Sequence, residues 1–167
     1  MFRYLYPDEY ASSIFDIPYN NLRLNGTTNI LLDIDNTTAP VSAERPGTEL
    51  VYFFYKLRDM GFKICILSNG SRKRVEIFAE AFGVPYVAKA RKPFSRGVGM
   101  ALELLSAKHS NAVIIGDQIF TDILCGKRAK IRTVLVKPIS PAEEWFVKLK
   151  RVFEKPVLAE YFRERPP

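Results

Sequence analysis

The sequence predicts an α/β domain in which helices cover both faces of a doubly wound, mostly parallel sheet. Short segments that are apolar almost throughout alternate along the chain with longer segments of helical period, and this alternation is typical of such folds. The strand candidates lack polar alternation, which favours a parallel sheet buried on both faces. With 167 residues, 47% of them hydrophobic and 26% charged, the chain is long enough for one domain with a sizeable core and short for two.

Five segments are predicted as buried strands because β-branched and other apolar residues fill them. They span residues 28–34, 62–67, 85–88, 111–115 and 131–136. Helices are predicted between them from apolar residues that recur every three or four positions. The apolar faces of these helices comprise Leu50, Phe53, Phe54 and Leu57; Val75, Phe78, Ala79 and Phe82; Phe94, Val98, Leu102 and Leu105; and Ile119, Ile123 and Leu124.

We expect one domain over residues 1–167, with a core of about residues 22–137 and a C-terminal helical extension over 138–167. The extension begins with the capping-box sequence Ser-Pro-Ala-Glu at 140–143, which places proline at the first helical position. Apolar residues at helical spacing follow, and a second apolar group after Pro156 predicts a helical hairpin. This amphipathic segment either packs on the sheet edge or lies on an anionic membrane.

The composition excludes several classes of site. Cys65 and Cys125 are far apart and form no CxxC pattern, which excludes a disulfide framework and a cysteine-rich zinc site. The single histidine, His109, lies in a polar connector, so a histidine-based triad is not expected. No apolar run approaches the roughly 18 residues of a membrane span, and the N-terminus lacks the pattern of a signal peptide. The chain is therefore expected in the cytoplasm, or at a membrane face reached from it.

The net charge of +7 is unevenly distributed along the chain. Residues 72–96 contain seven basic and two acidic side chains. A basic stretch of this kind attracts phosphates, nucleic acid or an anionic lipid surface, and charge alone does not choose among them.

Polar side chains follow the predicted strands at their carboxyl ends, where an open α/β sheet binds its ligands. The first strand is followed by Asp-Ile-Asp-Asn-Thr at 33–37, the second by Ser-Asn-Gly at 68–70, and the fourth by Gly-Asp-Gln at 116–118 with Asp122 just beyond. Lys92 follows the short third strand. Parallel strand ends meet at one edge of a sheet, so these groups are expected to converge.

This set suits metal-assisted phosphoryl transfer. Carboxylates without histidine or thiolate ligands favour a hard cation, Mg²⁺, which Asp33 and Asp117 would hold. A carboxylate can attack phosphorus and form an aspartyl-phosphate. Asp35, two residues after Asp33, could protonate the leaving alcohol and later activate water. The phosphoryl oxygens would be bound by Ser68, the Asn69 backbone and Lys92.

The same residues resemble the four motifs of the haloacid-dehalogenase (HAD) superfamily. Residues 33–37 resemble motif I (DxDxT), Ser68 the hydroxyl of motif II, Lys92 the lysine of motif III, and Gly116, Asp117 and Asp122 motif IV in its GDxxxxD form. Any one of these patterns is weak, whereas all four in order at predicted strand ends form a specific signature.

Residues 31–37, 89–93 and 115–122, with the N-terminal segment 7–17, are similar to the YqeG-type phosphatases, and the likeness covers about residues 4–150. That family includes phosphatidylglycerophosphate phosphatases. The resemblance implies that Asp33 is nucleophile and metal ligand, and that Asp35 is acid and base with its carbonyl on the metal. Asp117 would complete the metal site. Supporting roles fall to Asn36, Thr37, Asn69, Gly116 and Asp122. Thr38 and Gly70 depart from the family pattern without touching a catalytic atom.

Neither connection that could hold a cap domain is long enough for one. Only 24 residues separate Thr37 from Phe62, and 22 separate Gly70 from Pro93. The site is therefore expected to be capless and open, which suits a phosphate presented on a large body such as a lipid headgroup.

The favoured function is thus a Mg²⁺-dependent phosphatase of phosphatidylglycerophosphate in phospholipid metabolism, peripheral to a membrane. Phosphatases for soluble metabolites, proteins or nucleic acids stay open. So does a non-catalytic module that binds RNA or a ribosome through its basic face. Taken singly, the DxDN sequence could be only a turn and Asp117 only a helix cap. The oligomeric state is left open.

Overall fold

The structure is a computed structural model that describes residues 2–141 and 145–165. Its centre is a six-stranded sheet in the order β1-β6-β5-β2-β3-β4, in which every pairing is parallel. The strands are β1 (Glu9–Ala11), β2 (Asn29–Leu32), β3 (Lys63–Leu67), β4 (Tyr86–Val87), β5 (Ala112–Gly116) and β6 (Arg132–Val136). The predicted α/β class is confirmed, and all five predicted strands are present.

In the described residues, six α-helices flank the sheet. They are α1 (Tyr19–Leu24), α2 (Thr48–Asp59), α3 (Arg72–Phe82), α4 (Arg96–Leu105), α5 (Leu124–Arg128) and α6 (Trp145–Glu164). A π-helical turn, Ile119–Ile123, runs directly into α5. The α3 boundaries follow from Ser71, whose side chain accepts from the Arg74 amide, and from Gly83, which ends the helix at φ +64°.

Both faces of the sheet are buried because alternate strand residues point to opposite sides. On one face, residues such as Ile30, Ile64 and Val113 pack in a core with α2 and α3. On the other, Leu31 and Ile114 pack in a core with α4 and α5. The predicted apolar face of α4 included Phe94, and this is wrong, because Phe94 precedes the helix and is 66% exposed.

The edge strand β1 was not predicted from the sequence. Three residues, of which only Ala11 is buried, carry too little pattern to indicate a strand. The strand is held beside β6 by its ladder and by Asp8, whose carboxylate accepts from the Thr133 amide at 2.8 Å and the Thr133 hydroxyl at 2.9 Å.

The predicted C-terminal hairpin is wrong: α6 is one continuous helix of 20 residues with Pro156 inside it. Proline removes one helical hydrogen bond, and the residue whose carbonyl loses it, Val152, is exposed to water. Val157 and Tyr161 fix the helix by packing against Tyr6 and Ile119. Ala142 and Glu143 of the predicted capping box lie outside the described residues. No helix in the described part of the chain is long and apolar enough to cross a bilayer.

Candidate active site

Three neighbouring strands bring the predicted polar groups to one edge of the sheet. Asp33 follows β2 at the centre, Asp117 follows β5 on one side, and Ser68 follows β3 on the other. The Asp33 amide donates to Ile115 at 3.0 Å, which continues the β2–β5 ladder to this point. The expected convergence of strand ends is therefore present.

A tight turn after β2 places Asn36 and Thr37 of motif I at the carboxyl edge of the sheet. Asn36 has a left-handed φ of +61°, a conformation that asparagine tolerates better than most residues. The Asn36 amide donates to Ala39 at 2.8 Å, and its side chain donates to the Ser140 carbonyl at 3.1 Å. The turn aims Thr37 at Asp117, whose Oδ1 accepts from the threonine hydroxyl at 2.9 Å.

Lys92 lies between two buried carboxylates. Its Nζ is 2.8 Å from Oδ1 of Asp33 and 2.6 Å from Oδ1 of Asp122, and its side chain is 2% exposed. Asn69 fixes the lysine backbone: its amide group donates to the Lys92 carbonyl at 3.1 Å and accepts from the Lys92 amide at 2.8 Å. The predicted pair of Asn69 and Lys92 thus acts as one unit.

Asp122 is fully buried and held from its own loop. Its Oδ2 accepts from the Gln118 amide at 3.1 Å and the Thr121 hydroxyl at 3.3 Å. Gly116 is required at this place, because a Cβ there would overlap the Asp122 side chain. The glycine of the GD pair is therefore explained by close approach of the second aspartate.

The carboxylates of Asp33, Asp117 and Asp122 form a compact acidic cluster, with one oxygen of each within 4.8 Å of the others. Burial raises the pKa of Asp33 to about 8, although the Lys92 ammonium acts against this shift. Burial also raises the pKa of Asp117 to about 6. For Lys92 burial lowers the pKa, but the neighbouring carboxylates outweigh it and raise the pKa above its ordinary value.

The cluster fits a bound cation. Two cationic side chains, Lys92 and Arg151, contact its three carboxylates in the described part of the chain, so one negative charge is left uncompensated when all three carboxylates are ionised. An all-oxygen donor set with excess negative charge is what a hard divalent ion requires.

Arg151 and Glu154 of α6 were missed by the sequence analysis. Arg151 donates to Oδ2 of Asp117 and, at 2.5 Å, to the Asp117 carbonyl. Glu154 is 2% exposed; it accepts from Arg151 at 2.9 Å and from the Ile119 amide at 2.7 Å. A signal was present, because this charged pair falls on the same helical stripe as the buried Val157 and therefore faces inward.

The carboxylate of Asp35 lies apart from the acidic cluster. Its Oδ1 accepts from Nε of Arg74 at 2.7 Å. Arg74 belongs to α3 and also donates to the carbonyls of Pro40, at 3.2 Å, and Ala43. The arginine therefore ties Asp35 and the segment after the motif I turn to α3, a role that the sequence did not indicate.

The site opens into a cleft of about 670 Å³, which Asp33, Asp35 and Lys92 line, whereas Asp117 and Asp122 are buried behind it. Its lining comprises Asp33, Asp35, Asn36, Val41, Ser68, Asn69, Gly70, Lys92, Gln118, Thr121, Val147, Lys148 and Lys150. No cap domain is present in the described residues, as expected. The last three lining residues come from α6, however, so the C-terminal helix forms one wall of the cleft.

The chain is similar in sequence to known phosphatases. The HAD-hydrolase-like family model matches residues 89–139. The probable phosphatase YqeG of Bacillus subtilis is 31% identical over 157 residues, which cover 94% of this chain and 91% of the relative. The chloroplastic/mitochondrial phosphatidylglycerophosphate phosphatase 1 of Arabidopsis thaliana is 28% identical over 149 residues, covering 78% of this chain and 40% of the relative.

The fold is also found among solved structures. The deoxy-D-mannose-octulosonate 8-phosphate phosphatase of Haemophilus influenzae superimposes with a TM-score of 0.51 at 11% identity, over 80% of this chain and 90% of that one. At this identity the likeness concerns the arrangement of strands and helices.

Proposed function

Since the chain belongs to the YqeG-type phosphatases of the haloacid-dehalogenase superfamily, we propose that it hydrolyses a phosphate monoester through an aspartyl-phosphate formed on Asp33, with phosphatidylglycerophosphate as substrate. Membership makes the chain a phosphoric monoester hydrolase, as the four motifs predicted. The observation that carries the proposal is the acidic cluster at the sheet edge, which is joined to Lys92 and reaches the cleft through Asp33.

Asp33 and Asp117, with the carbonyl of Asp35, are proposed to hold Mg²⁺. The acidic cluster supports this assignment because it is buried, made of oxygen donors only, and short of positive charge. When bound, the ion supplies positive charge beside the reacting phosphate and lowers the repulsion between the phosphate and the carboxylates.

In the first step, a carboxylate oxygen of Asp33 attacks phosphorus and the bond between phosphorus and the ester oxygen breaks. Asp35 donates a proton to the departing alcohol, which leaves neutral. Asp35 lines the cleft two residues after Asp33, a position that suits this transfer. In the second step, Asp35 takes a proton from a water molecule whose oxygen attacks phosphorus. Inorganic phosphate leaves and the Asp33 carboxylate is restored.

The phosphoryl oxygens are proposed to be bound by Ser68, the Asn69 backbone and Lys92. Ser68 is buried at the end of β3, where its hydroxyl accepts from the Gly70 amide at 3.0 Å. The expectation that Gly70 touches no catalytic atom is therefore wrong. Lys92 is already fixed by Asn69 and the two carboxylates. Groups held in place before the reaction stabilise developing negative charge without reorganising.

The lipid substrate is supported by the Arabidopsis relative and by the surface beside the cleft. The outward side of α6 exposes Trp145, Leu149, Val152 and Phe153, each at least half exposed. Such a stripe on a basic helix is typical of segments that lie in the membrane interface. We propose that this side of α6 rests on an anionic membrane and brings the cleft to the headgroup.

The test is phosphate release from phosphatidylglycerophosphate in mixed micelles with Mg²⁺, run beside a soluble chromogenic phosphomonoester. We expect the lipid to be hydrolysed far faster, EDTA to stop the reaction, and Asp33→Asn to abolish it while the circular dichroism spectrum is unchanged. Release from the soluble ester alone would keep the phosphatase and refute the lipid substrate. Full activity of Asp33→Asn would refute the proposed nucleophile.

A further inference from the structure

Two adjoining grooves lie beside α4 and α5 and share no lining residue with the active-site cleft. The first, of about 450 Å³, is lined by three cations of the basic segment at residues 72–96, Lys89, Arg91 and Arg96. The second, of about 390 Å³, is lined by Arg128 and Lys130. The grooves meet where Arg128 lies over the ring of Phe94, which lines the first. We call the two grooves together the α4–α5 surface.

The α4–α5 surface carries positive charge that nothing nearby compensates. All five of its lysines and arginines are exposed. In the described part of the chain none of the five forms an ion pair. No acidic residue lines either groove among the described residues. A continuous surface of this kind attracts a polyanion.

Three of these cations lie on strained backbone. Lys89, Arg91 and Lys130 have left-handed φ angles of +48°, +56° and +54°, a conformation that glycine adopts at lower cost. Lys130 also follows the end of α5, a position that glycine often takes. Only Asn36 and Ser106 share this conformation among the other non-glycine residues of the described chain. The chain thus carries cations where backbone energetics favour glycine, which indicates a binding role for them.

Phe94 adds an aromatic ring between the two grooves. The ring is 66% exposed. The Arg128 guanidinium lies 5.9 Å from the ring centroid and donates to the Pro93 carbonyl at 3.1 Å, which keeps the cation beside the ring. An exposed ring set among cations along a groove suits single-stranded nucleic acid, because bases stack on the ring while cations contact the phosphates. A membrane surface would instead favour a contiguous apolar stripe such as that of α6.

We propose that the α4–α5 surface binds single-stranded nucleic acid, with a base stacked on Phe94 and the five cations on the phosphates. Phosphate contacts and stacking carry little sequence information, so the binding is expected to tolerate most sequences. The surface lies outside the active-site cleft, and the inference does not depend on the proposed function.

The test is fluorescence anisotropy with a labelled single-stranded RNA that lacks terminal phosphates. About twelve nucleotides suffice, since comparable grooves bind about 4–16. Arg96→Gln/Lys130→Asn removes one cation from each groove, and we expect the affinity to fall about tenfold. The slope of log affinity against log salt should become shallower by about 1.4, because each phosphate contact on a single strand contributes about 0.7. Unchanged affinity and slope would overturn the inference.

The matched control is Arg72→Gln/Lys73→Gln. It removes the same charge from two exposed residues of the same basic segment, but on α3, which packs against the opposite face of the sheet. This control should bind the strand like the wild type. An equal loss in both double variants would mean that only the net charge attracts the strand, and would overturn the α4–α5 surface.

The stacking contact is tested separately at Phe94, where exposure of the ring lets substitutions fold. Phe94→Leu should weaken binding of the single strand about tenfold, whereas Phe94→Tyr should bind like the wild type. A duplex of the same sequence should bind Phe94→Leu and the wild type equally, because its bases are already stacked on each other. Equal affinity of Phe94→Leu and the wild type for the single strand would refute the stacked base.

Two further measurements separate this inference from the proposed function. Asp33→Asn should bind the strand like the wild type, and Arg96→Gln/Lys130→Asn should hydrolyse the soluble phosphomonoester like the wild type. Loss of strand binding in Asp33→Asn would place the strand in the active-site cleft and overturn the inference. If Arg96→Gln/Lys130→Asn is released from phosphatidylglycerol vesicles while strand binding is unchanged, the surface is a membrane contact and the inference is equally overturned.

Discussion

Both halves of the active site pair buried carboxylates with a cationic side chain, but the cation comes from a different part of the fold in each. In one half, Lys92 joins Asp33 and Asp122, and all three side chains are less than a tenth exposed. Each of these residues lies close to a strand end. In the other half, Asp117 also follows a strand, but its cation, Arg151, comes from α6 and is 18% exposed.

This difference separates what the sheet builds from what the last helix adds. The Lys92 half forms wherever the parallel sheet forms, since its parts meet at the carboxyl edge. The Arg151 half exists only when α6 is packed against the sheet. A helix held by few buried contacts can detach at a lower free energy than the whole domain. The Lys92 half is thus the fixed part of the site, and the Arg151 half is the part that docking of α6 completes.

The largest effect is expected at the fixed half. Lys92→Met removes the cation between two buried carboxylates and one proposed contact to the phosphoryl group. We expect kcat to fall about a hundredfold to a thousandfold and the free energy of unfolding to fall by about 3–5 kcal/mol. Steady-state kinetics and urea denaturation measure the two effects. Lys89→Met, at an exposed lysine nearby, is the control, and equal activity of both variants would contradict the role given to Lys92.

The sequence predicts the residues that the sheet places, which are the fixed half and Asp117 of the docked half. Asp33, Ser68 and Asp117 each directly follow an apolar strand, so the parallel sheet alone brings them together. The polar residue directly after each of these strands is therefore sufficient to predict the group that the strand contributes to the site. Lys92 and Asp122 lie a few residues beyond a strand end, and the spacing of the motifs predicts them as part of the site too.

The α6 residues of the docked half could not be predicted in the same way. Arg151 is 34 residues from Asp117, and no local pattern states which strand the last helix covers. Because α6 contains several basic residues, Arg151 could not be distinguished in the sequence from lysines that face solvent. The hairpin predicted at Pro156 further obscured the single inward stripe of Arg151, Glu154 and Val157. The three-residue β1, whose neighbour β6 is far along the chain, was missed for the same reason.

Gly116→Ala tests how tightly the fixed half is packed. The added methyl group would overlap the Asp122 side chain, so the lysine should lose one of its two carboxylates. We expect activity to fall by roughly tenfold to a hundredfold and stability by about 1–3 kcal/mol. Gly99→Ala in α4 is the matched control, because beyond the backbone of α4 itself no described atom lies within 4 Å of its Cβ position, and there alanine should stabilise the helix by about 0.5–1 kcal/mol. Equal melting temperatures of the two variants would argue against close packing at Gly116.

Arg151→Met should have a smaller effect, confined to the docked half. Without its partner the Asp117 carboxylate is less well oriented, and loss of such outer contacts weakens metal binding about tenfold to a hundredfold. Isothermal titration with Mg²⁺ measures the affinity independently of turnover. Arg163→Met, at an exposed arginine of the same helix, should bind Mg²⁺ like the wild type. Tighter binding by Arg151→Met would mean that the arginine competes with the cation instead of positioning its ligand.

The smallest expected effect is a pH dependence of stability that distinguishes the two halves. The pKa is raised to about 8 at Asp33 and to about 6 at Asp117, so the folded chain holds both protons more tightly than the unfolded chain. Their contribution to stability is therefore complete below about pH 4 and is lost as the pH rises. For Asp117 the loss ends near pH 6, and for Asp33 near pH 8.

In EDTA, the melting temperature should fall as the pH rises from 4 to 8. Mg²⁺ should reverse the fall, since it binds the deprotonated carboxylates, so the stabilisation by Mg²⁺ should grow with pH. Asp117→Asn should make the slope shallower between about pH 4 and 6 only, whereas Asp33→Asn should make it shallower over the whole range from about pH 4 to 8. If neither variant alters the slope, the titrating groups lie outside the acidic cluster. If Asp117→Asn alone removes all of it, the docked half, and not the fixed half, governs the charge of the site.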